Sequence, residues 1–142
     1  MSPELALALL AVVFVALGVL MFMHRFQRRA RIMPTEEKAY VHIRWHEVEG
    51  MLRKGGPTHL RQAVIEADKL VDHALKHLGV PGESMGERLR AAKGRFTDYD
   101  GLWKAHKTRN QVVHETRKEL LSFEATQAIG RFRRALQDLG IL

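Results

Sequence analysis

Arg109, Asn110 and His114 lie in one short run, RNQVVH, and are the residues of this chain best suited to chemistry. An imidazole titrates near pH 6.5 and so takes up or releases a proton at neutral pH. A guanidinium is a permanent cation whose planar fork grips a phosphate or carboxylate through two parallel bonds. Together they could pass a proton and hold a developing negative charge, with Asn110 orienting either one. At about 100° per residue, Arg109 falls near the middle of an apolar stripe formed by Leu102, Ala105, Val112, Val113, Thr116 and Leu120. A guanidinium aimed inward is too costly to persist without a carboxylate. Asp68 is the expected partner in a structural ion pair with Arg109, with Glu66 or Asp72 as alternatives. Trp103, His106, Asn110, His114 and Arg117 share the neighbouring strip, half apolar and half titratable.

These residues need helices to position them. The spacing predicts one amphipathic helix over 98–121, opened by a Thr97-Asp98 cap, around which the remainder of the chain is organised. Before it, Met33-Pro34-Thr35 breaks the chain, and Thr35 would cap a helix whose stripe is Val41, Trp45, Val48 and Leu52. Lys54-Gly55-Gly56-Pro57 ends that helix and Thr58 would cap the next. This next helix carries the strongest periodicity in the chain: Leu60, Ala63, Val64, Ala67, Leu70, Val71, Ala74, Leu75 and Leu78. Ser84-Met85-Gly86-Glu87 is a capping-box pattern opening a short helix to about Gly94. Ser122 leads into a final helix with Ala125, Ala128, Ile129, Phe132, Leu136 and Leu139 inward. The fold class is therefore all-α, a four- to five-helix bundle over residues 32–142.

Residues 1–31 read differently. Leu5 to Met23 is an unbroken apolar run, long enough at 1.5 Å per residue to cross about 30 Å of hydrocarbon. Arginines follow it at once, whereas a cleaved signal peptide places its positive charge before the apolar core. The reading is a single transmembrane helix through the lipid bilayer of the cell membrane, N-terminus outside and the bundle cytoplasmic. The net charge of +7 divides accordingly. Four arginines and Glu4 give the first 31 residues +3, which leaves +4 for the bundle: mildly basic, compatible with RNA and not diagnostic of it.

Other constellations carry less. His42/His46 and His73/His77 each sit at i, i+4 on one helix face, as a metal site would need. The first pair projects away from its apolar stripe and the second has no compelling third ligand, so no metal and no cofactor are expected. The chain has no cysteine, which excludes a disulfide scaffold and a thiolate site. Ser84 and Ser122 serve as caps, and Gly55-Gly56-Pro57 lacks the Lys-Ser/Thr ending of a phosphate loop.

Arg109-Asn110, three residues and then His114 resembles the signature of the HEPN domains (higher eukaryote and prokaryote nucleotide-binding), small all-α bundles with Arg, four to six residues, then His. RNQVVHE is close to the form in HEPN toxins paired with nucleotidyltransferase antitoxins. Those toxins carry Tyr two residues after the His, where this chain has Thr116, so modification at that position is not implied. The resemblance implies a homodimer whose two motifs line a shared cleft, and a metal-independent endoribonuclease leaving 2′,3′-cyclic phosphate: His114 would move protons at the 2′-hydroxyl and the leaving oxygen, Arg109 would hold the charge that builds on phosphorus, Asn110 would orient either one, and His106 and Arg117 would extend the RNA-binding surface. The alternative is a non-catalytic, membrane-tethered dimerisation or interaction module for an unidentified protein partner. Arg109 would then belong to a buried pair, and His114 would line an interface.

Overall fold

A computed structural model describes residues 3–29, 32–114 and 119–142, and among these the chain is helical with no strand. It divides into two compact units, residues 1–32 and 33–142. The first is one helix, α1 (Pro3–Arg29). Its segment Pro3–Met21, 19 residues, is long and apolar enough to cross a membrane. Leu7, Phe14 and Met21 are among the many apolar side chains that it leaves exposed.

The second unit contains α2 (Thr35–Lys54), α3 (Pro57–His77), α4 (Met85–Ala91), a 3-10 turn at Lys93–Arg95, α5 (Tyr99–Val113) and α6 (Ser122–Asp138). Helix α3 is the hub, packing against α2, α4, α5 and α6, while α5 also packs on α6. The reason lies in its stripe: Leu60, Ala63, Val64, Ala67, Leu70, Val71, Ala74 and Leu75 are all buried. So many small residues at helical spacing let neighbouring helices approach from several sides. Phe132 and Leu136 of α6, Leu102 of α5 and Val41 and Val48 of α2 close the core around it. The chain is thus organised around α3 rather than around residues 98–121.

Helix starts follow local chemistry, with three corrections. Asp98 caps α5, its Oδ1 accepting from the Gly101 N–H at 2.9 Å, and Ser84 caps α4 through the Glu87 N–H at 3.2 Å. Thr35, Thr58 and Ser122, expected as caps, lie inside their helices; Pro34, Gly56 and Leu121 hold the cap positions. Pro57 takes the first turn of α3, where a missing N–H costs nothing.

Helix α5 is shorter than its periodicity predicts. It ends at Val113 with His114 as the C-cap, and residues 119–121 are not helical. Arg61 of α3 donates to the Val112 carbonyl at 2.7 Å, so a side chain answers one of the carbonyls that a longer helix would have used. At the other end of the connection, the Glu124 carboxylate accepts from the Leu121 N–H at 3.1 Å and starts α6. Val113, expected in the inward stripe, is 42% exposed, while Leu120 is buried although it lies outside the helix.

Candidate functional site

The polar centre of the second unit lies where α3, α4 and α5 meet. Asp68 comes from the middle of α3 and is only 2% exposed; His106, two turns along α5, is 8% exposed. His106 Nδ1 donates to Asp68 Oδ1 at 2.8 Å. Its other nitrogen, Nε2, lies 3.3 Å from Asn110 Nδ2. Asn110 Oδ1 accepts from an Arg109 terminal nitrogen at 3.0 Å, and Arg109 Nε lies 3.3 Å from Asp68 Oδ2. Four side chains therefore close a ring: Asp68, His106, Asn110, Arg109 and back to Asp68.

Donors and acceptors fit round this ring in one sense. A carboxylate only accepts, so Nδ1 of His106 carries the hydrogen and Nε2 presents a lone pair. Asn110 answers with its amide hydrogen and turns its oxygen to Arg109. The weak joint is Arg109 Nε, which is within ion-pair distance of Asp68 but not aligned for a hydrogen bond, and which is buried with no other partner. The attraction there is Coulombic, with little directional bonding.

A second pair forms the wall beside it. Arg88, 6% exposed on α4, grips Asp72 of α3 in bidentate fashion at 2.6 and 3.1 Å and also donates to the Gly82 carbonyl. Lys76 reaches the same carboxylate at 2.8 Å. Burial pushes the Asp72 carboxyl up, but its bonds from Arg88 and Lys76 outweigh that and hold it below the ordinary carboxylate value. Glu66 is occupied elsewhere, by Arg44 at 3.1 Å and Lys69 at 2.9 Å. Of the three carboxylates considered for Arg109, Asp68 is the one beside it.

These groups open on a cavity of about 480 Å³ lined by residues that include Asp68, Asp72, Arg88, His106, Arg109 and Asn110. Its wall sets Asp68, Asp72 and Glu83 against Lys69, Arg88 and Arg109. The cavity is charge-balanced and not a basic cleft. The RNQVVH run is divided by this geometry. Arg109 and Asn110 line the cavity, but His114 does not; it is exposed at the end of α5. His106, expected on a phosphate-binding strip, is enclosed with both ring nitrogens engaged. Arg117 and Thr116 lie outside the described residues.

Two features escaped sequence reasoning. The Arg88–Asp72 pair has no motif, and its signal is only an arginine on a short helix next to a long apolar one. The pair His73/His77 has a third potential ligand after all, since Glu37 of α2 reaches both imidazoles. His42 and His46 are exposed. Compared with known proteins, the chain matches no family model, no curated protein and no solved structure.

Proposed function

We propose that the second unit is a HEPN-like module that forms a homodimer and cleaves RNA without metal, held at a membrane by α1 with the bundle on the cytoplasmic side. The observation that carries this reading is the contrast within one motif. Arg109 and Asn110 are fixed by Asp68 and His106, whereas His114 is exposed with no side-chain hydrogen bond among the described residues. A proton-transfer group needs access to its substrate, and a clamp needs a fixed position; the two halves of the motif differ in that way. Val113, Leu121 and Phe123, at 42, 51 and 60% exposure, flank the same connection between α5 and α6. Apolar side chains there favour burial against a second copy, which would bring two His114 residues into one cleft. In this reading His114 is the acid/base, Arg109 contributes its cavity-facing edge to phosphate, and Asn110 and His106 are positioning residues. The juxtamembrane arginines support the orientation of α1 by charge.

The test is incubation of the detergent-solubilised full chain with mixed single-stranded RNA in EDTA. Products ending in 2′,3′-cyclic phosphate, absent with His114→Ala while its helicity is unchanged, are expected. A wild-type protein inert on RNA overturns the enzyme reading. The closed ring specifically favours a second reading in that event: Arg109 and Asn110 serve only to lock α5 onto α3, and the module binds protein. Arg109→Ala would then lower stability and change no activity.

A further inference from the structure

The side of the bundle where α2 meets α3 holds a second cluster, separate from the ring. His73 and His77 project from the last turns of α3, and Glu37 from the first turn of α2. His73 Nε2 lies 2.7 Å from Glu37 Oε2 and His77 Nε2 lies 3.6 Å from the same oxygen. The imidazole centroids are 4.3 Å apart and tilted by 40°. One ligand atom from each residue lies within 4.8 Å of the other two.

We infer that Glu37, His73 and His77 bind a borderline divalent metal ion of the Zn²⁺ class, with a fourth position left to water. Tetrahedral Zn²⁺ with bonds of about 2.0–2.1 Å sets its donor atoms about 3.3 Å apart. The contacts at 2.7 and 3.6 Å straddle that separation, so an ion needs the first to open by about 0.6 Å and the second to close by about 0.3 Å, with the two imidazole nitrogens already within 4.8 Å of each other. Two His and one carboxylate is a donor set for Zn²⁺, Co²⁺ or Ni²⁺ and a poor one for Mg²⁺ or Ca²⁺, which take oxygen. Both imidazoles turn Nε2 to the one carboxylate oxygen, so all three donor atoms face a common point between α2 and α3. All three side chains are about one-third exposed, which gives an ion a path of entry. The Tyr40 ring lies 5.1 Å from that of His73, tilted by 48°, beside the cluster.

The probe is Co²⁺, followed by visible absorption, with Zn²⁺ competition, on untagged full-length protein in detergent. Wild type is expected to bind one Co²⁺ per chain with the intense bands of low coordination number and to lose them on adding one equivalent of Zn²⁺. Glu37→Gln and His77→Ala should each weaken binding at least tenfold with unchanged helicity. His46→Ala should bind as wild type; His46 belongs to the other i, i+4 pair and provides the internal comparison. Absence of stoichiometric binding overturns the inference, as does binding lost in His46→Ala but retained in His77→Ala.

Discussion

Replacing Asp68 by Asn keeps the shape of the side chain and removes its charge, and the ring geometry sets the consequence. Asn at position 68 still accepts from His106 Nδ1 with its oxygen. Its amide then faces Arg109 Nε, donor against donor, and that nitrogen is already buried without another partner. Breaking a buried ion pair by removing one member costs about 3–5 kcal/mol. The Arg109 side chain keeps 26% of its exposure, and water reaching its outer edge offsets part of this. The expected loss is about 2–3 kcal/mol, or about 8–12 °C in Tm at about 4 °C per kcal/mol for a domain of this size. Tryptophan fluorescence of the full chain in detergent is a suitable readout. Trp45 and Trp103 are the only tryptophans and both lie in the second unit, so α1 is silent. Asp100→Asn, at an exposed site on α5, should shift Tm by less than about 2 °C and serves as the control. A shift that small in Asp68→Asn would refute the ring as a lock between α3 and α5.

Three further outcomes follow from the same geometry. The carboxyl of Asp72 is held below its ordinary value in the folded chain, so its contribution to stability is complete above about pH 4 and is lost as pH falls further, through the folded-state value. Urea midpoints between pH 6 and pH 2 should therefore fall less steeply in Asp72→Asn than in wild type. Gly82 has φ +146°, and an added Cβ would sit 2.8 Å from the Arg88 nitrogen; Gly82→Ala should cost about 1–3 kcal/mol and loosen the Arg88–Asp72 wall, read by urea unfolding. Phe132 is the largest fully buried side chain of the core, and Phe132→Ala should cost about 3–5 kcal/mol in the same assay.

The helices themselves were legible because their apolar spacing is strong: the α3 stripe read from the chain is the stripe that is buried. The inward pull of Arg109 was legible for a related reason, since a cation at a stripe position demands a carboxylate. The end of α5 was not, because the Val112-Val113 spacing continues the helical pattern while the Val112 carbonyl is answered by Arg61, 51 residues away in sequence. Long-range answers of this kind leave no local signal. The same holds for Glu37, whose approach to His73 and His77 depends on how α2 packs on α3. Helical periodicity places His106 on the strip beside the apolar stripe but gives only a direction and not what covers it; α3 and Asp68 cover it here.

The central claim, that two copies meet at the C-terminal end of α5, can be tested most directly through the absence of cysteine. Val113, Leu121 and Phe123 would be changed to Cys singly in the full chain, with Gln137→Cys at an exposed position of α6 as comparison. A disulfide forms without backbone movement only when the two Cα atoms lie within about 7 Å. The account predicts rapid oxidation to a covalent dimer at one or more of the three positions and a free thiol at Gln137. Equal cross-linking at all four positions, or none at the three, would contradict it.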